Sequence, residues 1–399
     1  MSLQPESSSR TKSRGAKLPP IIHIRKKGEA IMTFNRRDLL KAGAAVSLVA
    51  GFPRHAMAQG AFAPQPGAWR EFQILTRLEI ANAKGKTQAW IPVPSVNEKE
   101  WFKSSPSQWT TNGKAGLKHD PKKYAAGMIH AEWGNDQAAP LIEITSNIRV
   151  RDRAIDLSKS GNPVPLTVIE RKLYLGATEL IPTGGIVKET ADEIVKGAGT
   201  DVAKARAIYE WVVENTFRDA KVRGCGIGDI ASMLKSGNLG GKCADINALY
   251  VGLARAVGLP ARDVYGLRVA PSKFGYKSLG AGSTVISKAQ HCRSEVHLAE
   301  FGWVPVDPAD VRKVALEEPP TNLNIGDPKV VAARKALFGS WETNWLAYNF
   351  AHDVALPGTN GPKLGFLMYP QAETAGMRLD CLEPDAFKYT ITSKELTAT

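Results

Sequence analysis

The chain has 399 residues, of which 43% are hydrophobic and 23% are charged, and its net charge is +13 at pH 7. This composition is that of a globular protein with room for two domains, and four cysteines are too few for a disulfide-rich scaffold. Disorder, collagen-like structure and a disulfide knot are therefore excluded. Residues 1–58 carry 11 Lys or Arg against three Asp or Glu, which leaves a net charge of +5 for the rest. Because most of the excess charge lies in this leading segment, it gives little support to a nucleic-acid or polyanion partner.

The first predicted element is an export leader over residues 1–58, cleaved after Ala58. A charged segment, a short apolar segment and a small-residue cleavage site follow one another as in a secretory signal, and the paired arginines resemble a twin-arginine signal. The alternative is a basic amphipathic helix at an ordinary N-terminus. In chain order the signals are a second possible start at Met32, the pair Arg36 and Arg37, an apolar run over 42–52, and an Ala-x-Ala site. We expect a bacterial protein that is periplasmic or secreted, with no membrane span.

Residues 65–185 are predicted to form a β-rich, sandwich-like N-terminal domain. Apolar and polar residues alternate over 70–80 and 142–150, which is typical of half-buried strands. Pro92 and Pro94 lie within the stretch 89–94 and predict an edge strand there, since proline cannot donate to a central ladder. The polar, Lys-rich stretch 102–125 is predicted to be a long loop.

Two helices are predicted in the part that follows. Residues 201–217 place apolar side chains at helical spacing, and Thr200 is a suitable N-cap. A second apolar stripe runs from Cys243 to Val257 and ends at Gly258, where a C-terminal glycine belongs. Cys243 is therefore expected at a helix N-terminus.

Three strands are predicted next, over 263–270, 294–300 and 303–306. A helix followed by several strands indicates an α+β fold, not a wound βαβ fold. Residues 313–399 are predicted to be a C-terminal extension packing on this core. Its aromatic and polar residues could line a substrate cleft, although packing in the core is the preferred interpretation: Trp341, Trp345, Tyr348, Asn349, His352 and Tyr369.

Cys243 has the strongest physical case for reactivity among the cysteines. The unpaired N–H groups and the positive dipole end of a helix N-terminus both favour a thiolate, and they can also receive an oxyanion. The preceding pair Gly240-Gly241 would let backbone approach a substrate closely. The alternative is that Cys243 is a small buried apolar residue.

A thiolate nucleophile needs a base, and the base needs an orienting group. Two strands joined by a Phe-Gly turn would bring His291 and Asp307 to one end of a sheet. His297 is a competing base, because six residues along an extended strand give it the same facing as His291. Asp310 is a second candidate for the orienting carboxylate.

Three blocks of sequence resemble the transglutaminase-like superfamily over about residues 190–312. They are Gly-Lys-Cys243-Ala-Asp before a helix, His291-x-x-x-Glu295, and Gly-Trp-Val-Pro-Val-Asp307-Pro. The resemblance implies a papain-like fold with Cys243 as nucleophile, His291 as base and Asp307 as orienting carboxylate. His291 is preferred over His297 because only then do Glu295 and Asp307 fall in the family's register.

The sequence also departs from the family pattern. Arg293 replaces the tryptophan that usually lies two residues after the histidine, and Cys292 replaces a small residue. We expect His297 to be a strand surface residue, and Glu295 and Asp310 to be solvated or structural.

The resemblance implies acyl transfer, or hydrolysis of an amide or peptide, through a thioester on Cys243. The expected partner is a protein or peptide substrate, such as a cell-envelope peptide. No cofactor, no required metal and no nucleic acid are expected, and the oligomeric state is open. The alternative function is a non-catalytic peptide- or envelope-binding module on the same fold.

The other cysteines leave two structural alternatives. Cys225 and Cys292 could form a disulfide in an oxidising compartment. A Cys/His metal site using Cys243, His291 and Cys292 is disfavoured by its irregular spacing.

Overall fold

The computed structural model describes residues 62–81, 83–120, 124–137, 139–383 and 387–396. The predicted export leader lies outside these residues. No helix within the described ranges has the length and apolar character needed to cross a membrane.

The N-terminal part of the described chain is built almost entirely of strands. Its elements are β1 (Arg70–Glu79), β2 (Thr87–Pro92), β3 (Phe102–Ser104), β4 (Gln108–Thr111), β5 (Lys114–His119), β6 (Gly127–Trp133), β7 (Leu141–Val150) and β8 (Arg153–Ala154).

The middle part mixes helices and strands, and strands return in the C-terminal part. The middle elements are α1 (Val168–Leu175), α2 (Ile186–Ile194), α3 (Asp201–Asn215), β9 (Phe217–Arg218), α4 (Ile230–Ser236), β10 (Gly240–Gly241), α5 (Cys243–Ala256), β11 (Ala261–Arg268), β12 (Gln290–Leu298), β13 (Gly302–Val306), α6 (Pro308–Glu317) and α7 (Pro328–Ala336). The C-terminal strands are β14 (Ser340–Trp341), β15 (Trp345–Asn349), β16 (His352–Val354), β17 (Leu364–Phe366), β18 (Gln371–Thr374), β19 (Met377–Arg378) and β20 (Lys388–Leu396).

Two five-stranded antiparallel sheets form the β-rich region. One has the order β20-β1-β7-β3, with β4 also paired to β7, and the other has the order β19-β18-β2-β6-β5. Alternate side chains of both sheets meet in one buried apolar cluster that includes Leu78, Ile91, Ile129 and Ile144. This cluster makes the region a sandwich, so the predicted α+β class with a β-rich N-terminal part is confirmed.

Two local predictions in this region are wrong. Residues 102–125 contain strands β3, β4 and β5, whose polar side chains reflect their exposed positions at the sheet margins. Strand β2 is an interior strand with neighbours on both sides, and all of its residues are buried. Proline is tolerated there because Pro92 is the last residue of the strand, where no ladder donor is required.

The C-terminal segment completes both sheets of the sandwich. Strand β20 pairs with β1 along almost its whole length, and β18 pairs with β2. The segment 313–399 therefore contributes strands to the sandwich as well as to the core. The domain limits derived from sequence stay predictions.

A second layer holds the central helix. The four-stranded antiparallel sheet β13-β12-β11-β15 packs against α5, in which every residue is buried. Helices α3 and α6 cover α5 from other sides. The helix is therefore enclosed on all sides, and its polar residues Asp245, Asn247 and Arg255 have hydrogen-bond partners within the protein. The predicted helix ends are confirmed at Thr200, whose side chain accepts from Ala203, and at Gly258, which has φ +85°.

Candidate active site

Cys243 is the first residue of the buried helix α5, and only Lys242 separates it from the short strand β10. Strand β10 pairs in parallel with β9, so backbone passes close to neighbouring side chains. A Cβ atom at Gly240 would lie 2.3 Å from the ring of Phe217, and one at Gly241 would lie 2.5 Å from Cβ of Asp245. The glycine pair is thus explained by close packing within the protein.

The loop before α4 carries Cys225 to the start of α5. The carboxylate of Asp245 accepts hydrogen bonds from the backbone N–H groups of Ile227 (3.0 Å) and Gly228 (2.9 Å). Between them and Cys225 lies Gly226 with φ +89°, and a Cβ there would come within 1.8 Å of the Asp245 carboxylate. Only glycine fits this position, and the loop is held rigidly beside the helix N-terminus.

The antiparallel hairpin of β12 and β13 brings His291 and Asp307 together. His291 lies at the start of β12, and Asp307 follows β13 as the N-cap of α6. His291 Nε2 lies 2.8 Å from Asp307 Oδ2, and both side chains are almost fully buried. Because Nε2 is engaged, Nδ1 is the ring nitrogen left free to interact with Cys243, which lines the same cavity and whose pKa His291 lowers.

A second carboxylate lies next to the same ring. Asp310 Oδ1 is 3.3 Å from His291 Nε2 and 2.5 Å from Nη2 of the buried Arg268. Burial acts to lower the pKa of His291, but Asp310 and Asp307 outweigh it and raise that pKa to about 9. Arg268 holds the pKa of Asp310 well below its usual range despite the burial of the carboxylate. The two carboxylates therefore favour the imidazolium form of His291 at neutral pH.

Three buried thiols meet at the nucleophile. The Sγ atoms of Cys225, Cys243 and Cys292 all lie within 4.8 Å of one another, and that of Cys292 is 3.6 Å from that of Cys243. The Cys292 thiol donates a hydrogen bond to Cys243, and the Cys225 thiol donates to the Gln290 carbonyl at 3.4 Å. The two neighbouring thiols and His291 outweigh the burial of Cys243, so its pKa is lowered well below its usual value. All three are free thiols, so Cys225 and Cys292 are not paired in this structure.

Further buried groups position the histidine. Gly266 lies opposite His291 in the β11–β12 register, and a Cβ there would come within 2.3 Å of the Trp345 ring. Trp345 can therefore lie close enough for its Nε1 to donate to the His291 carbonyl at 3.0 Å. Arg293 lies over the rings of Trp341 and Trp345, with Nε 3.6 Å from Asp307.

A cavity of about 670 Å³ leads to this cluster and is lined by Cys243, His291, Cys225 and Tyr369. Cys243 is only 4% exposed, so the cavity is its route to substrate and solvent. The arrangement is suited to nucleophilic chemistry on a substrate that enters the cavity.

The chain is similar in sequence to known proteins. Residues 188–308, which contain Cys243, His291 and Asp307, match the transglutaminase-like superfamily. An uncharacterised protein of Haemophilus influenzae is 37% identical over 329 residues, which is 79% of this chain and 88% of that protein. The chain belongs to the transglutaminase-like superfamily.

Solved structures with some likeness to this member of the superfamily have low sequence identity. A candidate cysteine protease from Cytophaga hutchinsonii is 14% identical, with a TM-score of 0.46 and coverage of 83% of this chain and 99% of that chain. The periplasmic domain of TgpA from Pseudomonas aeruginosa is 15% identical, with a TM-score of 0.31 and coverage of 61% and 88%. Red sea bream transglutaminase is 12% identical, with a TM-score of 0.28 and coverage of 74% and 57%.

One expectation about residues near the superfamily motifs needs correction. His297 is buried against Trp303 and is not a surface residue. For Glu295 and Asp310 the structural alternative is confirmed, because both are fully enclosed and each is paired with a buried arginine. The aromatic residues of the C-terminal extension are buried, which confirms the preferred interpretation of core packing. Tyr369 is the exception, because it also lines the cavity.

Sequence reasoning missed several groups that shape the site. Arg268 comes from β11 and Asn247 from α5, where its Nδ2 lies 3.3 Å from Asp307. No local signal marks Arg268. Asn247 could have been noticed, because it lies one helical turn after Cys243 and therefore on the same face of α5.

Proposed function

We propose that the protein is an exported cysteine enzyme that transfers acyl groups, or hydrolyses amides or peptides, through a thioester on Cys243. The observation that carries this proposal is one cavity lined by both Cys243 and His291, with His291 hydrogen-bonded to the buried Asp307. The opposed pKa shifts of Cys243 and His291 favour a thiolate–imidazolium pair at neutral pH.

In the first step the Cys243 thiolate attacks the carbonyl carbon of an amide and forms a C–S bond. The C–N bond then breaks, and the imidazolium of His291 gives its proton to the leaving amine. Asp307 keeps the ring oriented and stabilises its charged form.

In the second step neutral His291 takes a proton from the water or amine that attacks the thioester. The product is a carboxylic acid or a new amide, and the thiolate–imidazolium pair returns. The backbone N–H of Cys243 has no partner among the described residues and is our candidate donor to the oxyanion. The neighbouring Ala244 N–H is already bonded to the Cys225 carbonyl at 2.9 Å.

Alkylation with iodoacetamide from acidic to mildly basic pH, with peptide mapping, tests the proposal. We expect fast labelling of Cys243 at acidic pH, where an ordinary thiol is protonated, and we expect His291→Ala to abolish it. Cys381, whose pKa is raised by burial, serves as an internal reference thiol in the same sample. His297→Ala is the matched control, because it removes another buried histidine of β12 that lies outside the site.

A non-catalytic peptide- or envelope-binding module is the second candidate, and the low exposure of Cys243 favours it. Labelling of Cys243 no faster than that of Cys381, and unaffected by His291→Ala, would reject the enzyme in favour of this module. If Cys243 is reactive, hydroxylamine distinguishes an enzyme from a binding module. Acyl transfer and hydrolysis both pass through a thioester, which hydroxylamine converts to a hydroxamate, whereas binding alone yields none.

A further inference from the structure

The cavity beside Cys243 is lined by cations. Among its described lining residues none is Asp or Glu. Seven are Lys or Arg: Arg218, Arg223, Lys242, Arg268, Lys288, Lys313 and Lys388. This local excess contrasts with the small net charge of the chain after its leader.

Part of this charge is neutralised from outside the cavity. Arg268 forms an ion pair with Asp310, and Arg223 forms one with Asp380. Arg218 and Lys313 both pair with Glu317. These carboxylates do not line the cavity.

Three of the cations have no carboxylate partner among the described residues: Lys242, Lys288 and Lys388. Lys242 directly precedes the nucleophile, whereas Lys288 lies before β12 and Lys388 begins β20. Unpaired charge from three separate parts of the chain therefore converges on one cavity. Burial first, and then the positive charge of Arg268, lowers the pKa of Lys313, as expected in a positive environment.

We propose that the enzyme selects acidic peptides, whose carboxylates lie beside the amide that Cys243 attacks. The proposal rests on the proposed function, since the cavity is the approach to Cys243. Low-dielectric walls lined by one sign of charge focus the potential and concentrate ligands of the opposite sign. A volume of about 670 Å³ is also within the usual range for ligand pockets.

Two alkylating agents of different charge test this selection without a known substrate. The ratio of the Cys243 labelling rates with iodoacetate and with iodoacetamide is compared with the ratio for N-acetylcysteine. We expect a ratio at least about tenfold higher at Cys243 at low ionic strength, falling as salt is added. The double variant Lys288→Glu, Lys388→Glu should bring the ratio close to that of the free thiol.

The double variant Lys159→Glu, Lys196→Glu is the charge-matched control, because both lysines are exposed and lie outside the cavity lining. It should leave the ratio unchanged. A wild-type ratio no higher than that of N-acetylcysteine, or one unaffected by the double variant Lys288→Glu, Lys388→Glu, would overturn the proposal. Slow labelling by both reagents with the preference retained would count against the proposed function but not against the charge selection.

Protection by peptides tests the class of occupant. A peptide of four glutamates should slow iodoacetamide labelling of Cys243 more than a peptide of four glutamines does. Equal protection, or none, would rule out an acidic peptide as the occupant of the cavity.

The three-thiol cluster carries a second, independent inference. Zn²⁺ bound to sulfur at about 2.3 Å in a tetrahedral site separates its sulfur ligands by about 3.8 Å. The Sγ atoms of Cys243 and Cys292 are 3.6 Å apart, and that of Cys225 is within 4.8 Å of both. Cys225 and Cys243 also line the cavity, so a cation can reach the cluster, and its affinity for the thiolates must outweigh repulsion by the unpaired lysines.

We propose that these three sulfur atoms bind a thiophilic divalent cation such as Zn²⁺, which keeps Cys243 from reacting while it is bound. Each coordinated thiol loses its proton to solvent, and no oxidation is involved. Inhibition rests on the proposed function, whereas binding does not.

Cadmium titration of the reduced protein provides the test. We expect thiolate-to-cadmium charge-transfer absorption that saturates at one equivalent, and competition by Zn²⁺. Cys292→Ser should remove the absorption, and Cys381→Ser, which replaces a cavity-lining cysteine outside the cluster, should not. No absorption, loss of binding in Cys381→Ser, or fewer than four titratable thiols after unfolding would overturn this proposal.

Discussion

Strand β12 carries two buried charged groups that differ in what they can do. Around His291, two carboxylates, Asp307 and Asp310, face one titratable ring that lines a cavity. Four residues further on, the fully buried Glu295 is held between two arginines, Arg153 and Arg262.

The Glu295 group joins the two layers of the protein. Arg262 donates from Nε to Glu295 at 2.6 Å and from Nη2 to Glu98 at 2.9 Å, while Arg153 also donates to the carbonyl of Trp303. Arg153 lies on β8 and Glu98 in the segment after β2. These contacts therefore link strand β12, which carries Glu295, to the sandwich region. The arginines, which outweigh its burial, hold the pKa of Glu295 below its usual value.

The difference between the groups shows that buried charge alone does not mark a reactive site. Glu295 is saturated by two permanent cations and has no proton to exchange near neutral pH. His291 is paired with two carboxylates that raise its pKa, and it lines the same cavity as the Cys243 thiol. The following predictions compare the two groups, from the largest expected effect to the smallest.

Glu295→Gln should lower the free energy of unfolding by about 3–5 kcal/mol, because two buried arginines lose their counter-charge. Urea unfolding measures this loss. Glu143→Gln breaks an exposed ion pair with Arg77 and should cost at most about 1 kcal/mol. Under native conditions Glu295→Gln should retain fast labelling of Cys243; a selective loss of that reactivity would place Glu295 in the reactive group.

Asp307→Asn should slow the labelling of Cys243 at acidic pH by about 10- to 100-fold. Loss of a carboxylate 2.8 Å from His291 lowers the pKa of the ring and so destabilises the thiolate–imidazolium pair. Asp327→Asn is the matched control, because Asp327 caps α7 before a proline as Asp307 caps α6. Equal rates in the two variants would leave Asp307 with a capping role alone.

Histidine-selective NMR titration should show His291 losing its proton at about pH 9, with the signal assigned by its absence in His291→Ala. Because this pKa is raised, the imidazolium is present below about pH 9, and acyl transfer should decline as the pH rises through that value. Asp310→Asn should lower this pKa by about one unit. An unchanged pKa in the variant would show that Asp310 serves only to neutralise Arg268.

Trp345→Phe should lower the free energy of unfolding by about 1 kcal/mol more than Trp341→Phe does. Both indoles are fully buried and lie over Arg293, but only Trp345 has a hydrogen-bonded Nε1, which donates to the His291 carbonyl. Chemical denaturation of both variants measures the difference. Equal losses would show that this hydrogen bond contributes nothing net.

Much of the candidate site could be predicted because its signals are local. The helix start at Cys243 is marked by the glycines before it, and the turn between β12 and β13 is short enough to bring His291 and Asp307 to one end of the hairpin. The assignment of His297 to the surface was wrong because strand periodicity gives the facing of a side chain but not what covers that face.

The sequence by itself determined the superfamily, the α+β class and the identity of three residues that the fold brings together. Tertiary structure alone decided that Arg268 would neutralise Asp310, that Cys225 and Cys292 would adjoin the nucleophile, and that unpaired lysines would line one cavity. The physical reason is one of range. Helix ends and hairpins depend on neighbouring residues, whereas burial, electric potential and pKa depend on side chains that only the folded chain brings into contact.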